Sequence, residues 1–233
     1  MASQFTVCGG FYLSMIGLIK HTLQNKLTRE LNTIHVTSAI VEKNRNEIFQ
    51  KAKEQNVSHM LQLDSDMTFP PNYLDYLLQM SKEFPDAVVS GLAFMGNPPH
   101  FPICFKLDEE GVVRGNHHPI SKFPEDAPFE VDILGGYGFL VPRVILDKLS
   151  DEPFNKIGKY QEDFSFSKRV KELGFRLVVD PRIQMGHIRP KAIGYEDFES
   201  TVLRLQKSRM PRTISESSPS KDGTEIKRQK SKG

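Results

Sequence analysis

The sequence predicts an α/β domain with a mostly parallel sheet and helices on both faces. Two observations lead to this fold class. In the first half of the chain, short apolar runs alternate with longer stretches in which apolar residues recur at helical spacing. Strands that alternate with helices pair mainly in parallel, because each crossover returns the chain to the same end of the sheet. In addition, the 233 residues are enough for one domain with a substantial core.

The first half contains four predicted strands and three predicted helices, which gives the order β-α-β-α-β-α-β. The strands are apolar and short, and they span residues 4–8, 34–38, 59–63 and 87–94. The helices carry apolar residues three and four positions apart, and they span residues 13–31, 42–55 and 72–84. Gly9-Gly10 forms a turn after the first strand, and Asn72 caps the third helix.

The second half predicts a small antiparallel region and then a return to alternating elements. A hairpin is expected between residues 101–106 and 112–115, around an Asp-Glu-Glu-Gly turn. The later strands span residues 129–134 and 175–179, and the later helices span residues 142–149, 164–173 and 192–206. Gly174 ends the helix before it, because glycine readily adopts the conformation of a helix C-terminus.

Charge divides the chain into a domain over 1–206 and a basic tail over 207–233. The tail has eight basic and three acidic residues and almost no apolar side chains, so disorder is expected there. The domain has 23 basic and 26 acidic residues, a slight negative balance that shows no general signature for nucleic-acid binding. Two cysteines in a chain of this length favour a reducing compartment. No stretch reaches transmembrane length, so we expect a cytoplasmic protein.

The stretch His59–Met67 is the feature around which the chain is organised. It is an apolar strand that ends in Asp64 and Asp66, one residue apart, before a Pro-Pro turn. Alternating strand positions face the same way, so these carboxylates are expected to converge on one point. Two convergent carboxylates suit Mg²⁺ or Mn²⁺, which prefer oxygen ligands. The alternative is that both acids only cap the following turn.

Three further features follow along the chain and complete a recognisable set. They are Asn44-Arg45-Asn46, Gly135-Gly136-Tyr137-Gly138-Phe139 and Gln161-Glu162-Asp163-Phe164, with His187 after a late strand. With the Asp-Ser-Asp triplet, this set resembles the GT-A glycosyltransferases, and in particular the small family-2-like members of phages and bacteria. The resemblance covers roughly residues 30–190 and implies a GT-A (Rossmann-like) fold.

The resemblance implies a Mn²⁺ or Mg²⁺ cofactor and a nucleotide-sugar donor. Asp66 matches the direct metal ligand of the Asp-x-Asp motif, and Asp64 matches the acid nearer the donor sugar or ribose, with a share in the metal site. His187 matches a late histidine that adds a metal ligand. The donor-binding residues implied by the motifs are Arg45, Asn46, Asp64, Ser65, Asp66 and Gly136.

The Glu162-Asp163 pair is the predicted catalytic centre. Asp163 matches the base of inverting family members, with Glu162 as the weaker candidate. A base deprotonates the acceptor hydroxyl as that oxygen attacks the anomeric carbon. The dipole of the following helix is expected to keep Asp163 ionised. Both acids could instead serve only to cap that helix, and His187 and Arg45 could be ordinary structural residues.

The predicted function is therefore nucleotide-sugar-dependent hexosyl or pentosyl transfer to an acceptor hydroxyl, with inversion. The acceptor classes left open are a glycan, a protein side chain, a lipid-linked sugar and a modified DNA base. One alternative is a sugar nucleotidylyltransferase, which would need a basic glycine-rich loop near the N-terminus, and Gly9-Gly10 has no basic residue before Lys20. A second alternative is a non-catalytic module that binds a nucleotide sugar or a glycan.

Overall fold

The computed structural model confirms the α/β fold class. It describes residues 8–98, 100–107, 120 and 122–189, all of which belong to one compact unit that ends at Arg189. A five-stranded sheet forms the centre. Its strands are β1 (His59–Leu63), β3 (Ala87–Leu92), β5 (Phe129–Val131), β7 (Gly138–Pro142) and β8 (Arg176–Gln184), in the spatial order β1-β7-β3-β8-β5.

The sheet is mixed, whereas the sequence analysis predicted a mostly parallel one. Only β3 and β8 pair in parallel, and the other three neighbouring pairs in this sheet are antiparallel. The cause is the position of β7, which comes late in the chain but inserts between β1 and β3. β1, β3 and β8 still run in one direction, as the helical crossovers require, but β7 separates the first two of them.

Two small sheets extend this centre. β2 (Met67–Thr68) pairs with β9 (Gly186–His187), and β4 (Cys104–Phe105) pairs with β6 (Ile133–Leu134), both antiparallel. Within the predicted hairpin segment 101–106, β4 pairs with β6, while the other predicted strand of the hairpin lies outside the described residues. The run 129–134, predicted as one strand, contributes β5 to the large sheet and β6 to a small one.

In the described part of the chain, five helices pack around the sheet. They are α1 (Gly9–Gln24), α2 (Val41–Glu54), α3 (Tyr73–Glu83), α4 (Arg143–Leu146) and α5 (Glu162–Glu172). The core side of α2 carries Phe49 and Ala52, and that of α3 carries Leu74 and Leu77, as their helical spacing predicts. α5 starts two residues earlier than predicted, and Gly174 just beyond its end has a positive φ of 82°, as its C-terminal role requires.

β3 and β7 form the centre of the core, because both are buried along their whole length. Four phenylalanines pack beside them, with ring centroids 4.5 to 6.4 Å apart, and these are Phe49, Phe139, Phe154 and Phe166. This aromatic cluster lies under the end of the sheet where β1 stops. It gives that end a rigid base, because aromatic pairs at such distances add to the stability gained from burial.

Several predicted elements differ from the structure or fall outside the described residues. Residues 34–38 do not form a strand, because β1 takes only β7 as a partner and stays at the sheet edge. Asn72 precedes α3 but makes no side-chain capping bond. The predicted segments 4–7, 112–115, 192–206 and the basic tail 207–233 lie outside the described residues, so the tail and the domain boundary at 206 stay predictions. In the described part of the chain, no helix has both the length and the apolar character needed to cross a bilayer.

Candidate active site

The site lies at the carboxyl end of β1, where two acids have different partners. β1 ends at Leu63, and a turn closed by the Met67 amide on the Asp64 carbonyl follows at once. Strand alternation stops at that turn, so the prediction that Asp64 and Asp66 converge on one point loses its geometric basis. Asp64 bonds to Arg45, while Asp66 faces His187 and Arg189.

Asp66, His187 and Arg189 form the first half of the site. β2 pairs Met67 with His187, which brings the imidazole Nε2 to 3.2 Å from the Asp66 Oδ2. Nδ1 of His187 lies 3.0 Å from the Phe94 carbonyl oxygen, which can only accept, so this nitrogen carries the proton. When His187 is neutral, its Nε2 carries no hydrogen and faces a carboxylate oxygen. Both atoms are then acceptors, so a proton or a metal cation must lie between them.

Arg189 was missed by the sequence analysis. Its Nη1 donates to the Asp66 Oδ2 at 3.2 Å, and its side chain crosses Gly96, where a Cβ would collide with it. Arg189 follows His187, the last residue of β9, by two residues. Strand alternation does not extend beyond the end of a strand, so no local pattern in the sequence pointed to Arg189.

Arg45, on α2, forms the centre of the second half of the site. Its Nη2 donates to both carboxylate oxygens of Asp64, at 3.1 and 2.9 Å, and to the Gly136 carbonyl at 3.3 Å. Its Nη1 donates to the Glu162 Oε1 at 3.0 Å. Only 5% of the side chain is exposed, so the guanidinium is a buried bridge between the end of β1 and the start of α5.

Asp163 is the second acid of α5, and neither acid acts as the helix N-cap. Gln161 occupies the N-cap position without a side-chain bond, and Glu162 points to Arg45. The Asp163 Oδ2 accepts the Gly136 N–H at 3.3 Å, and its Oδ1 accepts the Phe164 N–H at 2.8 Å. Asp163 therefore lacks the arginine partner that holds Glu162.

The charges of this cluster oppose one another in a buried space. Burial raises the pKa of Asp163, and Glu162 adds to this, although Arg45 acts in the opposite direction. The sequence analysis expected the helix dipole to keep Asp163 ionised, whereas burial is the largest influence on its pKa and favours the protonated form. Burial opposes the charge of Arg45, but Asp64, Asp163 and Glu162 together raise its pKa, so it stays a cation.

Two neighbours of Arg45 fix its place. The Phe154 ring lies next to the guanidinium, with its centroid 6.0 Å from the Cζ. A Cβ at Gly136 would lie well inside the 3.0 Å limit of real contacts with the guanidinium.

Asn46 holds the loop that carries Phe154, because its Oδ1 accepts the Phe154 N–H and its Nδ2 donates to Asn155. The side chain of Asn46 is thus engaged by this loop.

The structure brings most of the predicted site residues to one end of the sheet. Arg45, Asp64, Gly136, Glu162 and Asp163 form one connected group, which we call the arginine cluster. Asp66 and His187 form the second group, and Ser65 is exposed in the turn between Asp64 and Asp66. Among the described residues, no three His, Cys, Asp or Glu side chains are arranged to hold a metal ion by themselves.

Comparison with family models and with curated protein sequences gave no match. Among solved structures, the chain is similar to A197 from STIV, with a TM-score of 0.51 and 15% identity over 75% of this chain and 79% of that one. It also aligns with GalNAc-T7 solved with UDP, GalNAc and Mn²⁺, with a TM-score of 0.43 and 18% identity over 81% of this chain and 39% of that one. The first similarity agrees with the predicted GT-A-like fold and describes the path of the backbone alone.

Proposed function

We propose that this chain is a metal-dependent glycosyltransferase that moves a sugar from a nucleotide-sugar donor to an acceptor hydroxyl with inversion. One observation carries the proposal. The Asp66 carboxylate and the His187 Nε2 face each other 3.2 Å apart, and Glu162 and Asp163 form a separate, partly buried acid pair. The first group suits a cation that binds a diphosphate, and the second suits proton removal.

The donor set of this chain fits a divalent cation. Asp66 and His187 would hold it, with the His187 ring oriented by the Phe94 carbonyl, and the diphosphate of the donor would complete the ligand set. The arginine cluster holds three further carboxylates, those of Asp64, Glu162 and Asp163, against the single positive charge of Arg45. A bound Mn²⁺ or Mg²⁺ supplies charge neutralisation for the leaving diphosphate.

Arg189 is suited to contact the same diphosphate. Its guanidinium is half exposed and already bonds the Asp66 carboxylate, so a phosphate oxygen at this point can become its partner. Arginine binds phosphate oxygens in pairs, and this geometry orients the donor as well as holding it. We assign Arg189 to donor binding, beside the motif residues other than Arg45, whose terminal nitrogens are engaged within the arginine cluster.

Asp163 is proposed as the general base, and Glu162 is not. The Oε1 of Glu162 already accepts a hydrogen bond from the Arg45 Nη1 at 3.0 Å, so this oxygen has a fixed partner. The carboxylate of Asp163 has only backbone donors, Gly136 and Phe164, so it retains lone pairs for the acceptor hydroxyl. As the C–O bond to the leaving diphosphate breaks, the acceptor oxygen bonds the anomeric carbon, and its proton passes to Asp163.

A donor panel tests this proposal. Uridine, guanosine and thymidine diphosphate sugars are incubated with the protein and Mn²⁺, and the released nucleoside diphosphate is measured, with water or added sugars as acceptors. The proposal expects release from at least one donor and a transferred sugar of inverted anomeric configuration by NMR. Release of nucleoside triphosphate from a donor and pyrophosphate would favour the nucleotidylyltransferase, and binding without turnover would favour the non-catalytic module.

A further inference from the structure

Arg45 is the one side chain of the arginine cluster that contacts both the end of β1 and the start of α5. We infer that Arg45 is a positioning residue that fixes Asp64, Glu162 and Asp163 in place and does not contact the donor nucleotide. The inference rests on the proposed function for its kinetic consequence, but its geometric basis is independent of that function. It replaces the donor-binding role that the Asn44-Arg45-Asn46 motif implied.

Burial is the first argument. A residue that binds a nucleotide needs a donor group that reaches the ligand, and the guanidinium of Arg45 is buried among its protein partners instead. Both of its terminal nitrogens are engaged, by Glu162 on one side and by Asp64 and Gly136 on the other. Its Nε is buried without a partner, and only 5% of the side chain is exposed. The guanidinium therefore lies beneath the site.

Confinement is the second argument. The Phe154 ring and the backbone at Gly136 limit the guanidinium on two sides, so it cannot turn toward a ligand without leaving its carboxylates. The fork of an arginine matches this role, because its donors have fixed directions and can hold two acids at a set separation. A lysine at this position would keep the positive charge, but it has no second donor nitrogen with a fixed direction toward the other acid.

The link to Asp163 is the third argument. Arg45 donates to the Gly136 carbonyl, and the N–H of the same residue donates to the Asp163 Oδ2. A continuous chain of hydrogen bonds thus runs from Asp64 through Arg45 and Gly136 to Asp163. Because this chain sets where Asp163 lies, loss of Arg45 displaces the proposed base, and a shift of about 1 Å reduces turnover by about 10²-fold.

The kinetic test compares Arg45→Gln and Arg45→Lys with the wild type, and with Arg169→Gln as the control. Arg169 is a half-buried arginine on α5 that bonds only the Pro153 and Asn155 carbonyls, so its loss removes an arginine without touching the acids. A positioning role predicts that kcat falls about 10²-fold in Arg45→Gln and less in Arg45→Lys. The affinity for nucleoside diphosphate with Mn²⁺, measured by calorimetry, should change less than about threefold.

A second readout does not depend on turnover. The charged groups that act on Asp163 are Arg45 from α2 and its neighbour Glu162 on α5, and they have opposite effects on its pKa. NMR titration of the Asp163 carboxyl carbon should therefore give a higher midpoint in Arg45→Gln than in the wild type, and no change in Arg169→Gln. If Arg45→Gln does not fold, Arg45→Met, which also removes the charge, replaces it in this readout.

The outcomes separate the two proposals. A wild type that turns over no donor overturns the proposed function, while the titration still tests Arg45. If affinity for nucleoside diphosphate falls as much as kcat in Arg45→Gln, Arg45 contacts the donor and the inference is wrong. An unchanged Asp163 midpoint in a folded variant that lacks the positive charge of Arg45 also overturns it.

Discussion

Replacement of Gly136 by alanine tests the packing of the arginine cluster directly. A Cβ at this position would overlap the Cζ and both Nη atoms of Arg45, all well inside the 3.0 Å limit. The guanidinium must then leave its place, because the Phe154 ring limits it on another side. Displacement breaks its charge-assisted bonds to Asp64 and Glu162.

The size of this effect follows from those two bonds. A hydrogen bond to a charged group contributes about 1.5–3 kcal/mol, and the lower value applies here because Asp64 is 32% and Glu162 16% exposed. Two such bonds give a loss of about 3 kcal/mol. For a chain of this size, each kcal/mol lowers Tm by about 2–4 °C, so a drop of about 6–12 °C is expected.

The assay is thermal unfolding of a double-mutant cycle with Gly9→Ala as the control. A Cβ at Gly9 meets nothing within 4 Å, so that variant should melt at or slightly above the wild-type temperature. In an Arg45→Ala background the volume of the guanidinium is empty. Gly136→Ala should then lower the free energy of unfolding by less than about 1 kcal/mol. A Gly136→Ala variant that melts within about 2 °C of the wild type, or an equal loss in both backgrounds, would refute the reasoning.

Three further predictions concern the acids and the cation site. Asp163→Asn should lower kcat by about 10²–10⁴-fold without lowering Tm, whereas Glu162→Gln should keep measurable turnover; the reverse result would move the base to Glu162. Because burial raises the pKa of Asp163, the native state holds this proton more tightly than the unfolded chain. The stability that this group contributes is therefore present below about pH 4 and is lost as the pH rises through its folded-state pKa. Over the same pH range kcat should rise, because the base becomes ionised. A kcat that has already reached its plateau near about pH 4 would contradict this. His187→Gln should keep the fold but abolish Mn²⁺-dependent binding of nucleoside diphosphate in calorimetry. Arg189→Gln should weaken the binding of nucleoside diphosphate both with and without Mn²⁺. Binding at wild-type strength in either variant would count against the role assigned to that residue.

The local features of this molecule could be predicted well from the sequence. The spacing of apolar residues predicted α2 and α3 closely, and the buried run at β3 was clear, because amphipathic periodicity reflects which face meets the core. The acids at the end of β1 were also identified, because an apolar strand that stops at paired carboxylates is a local pattern. Their grouping with Glu162 and Asp163 was reached only through the resemblance.

The long-range features could not be predicted in the same way. Nothing local shows that β7 inserts between β1 and β3, because an antiparallel partner can come from any distance along the chain. For the same reason the pairing of Arg45 with Glu162, 117 residues later, was missed. The different partners of Asp64 and Asp66 were missed because the alternation rule was applied beyond Leu63, where the strand ends.

Mn²⁺-dependent release of nucleoside diphosphate from a nucleotide sugar, compared between the wild type and Asp66→Asn, tests the central claim most directly. The matched control is Asp126→Asn, an exposed aspartate of a loop that takes no part in the site. We predict release by the wild type and by the control, which chelation of the metal abolishes, and a loss of at least about 10²-fold in Asp66→Asn with the fold intact. Release by Asp66→Asn at the wild-type rate, or no release from any donor by the wild type, would contradict the assignment of this site to metal-dependent glycosyl transfer.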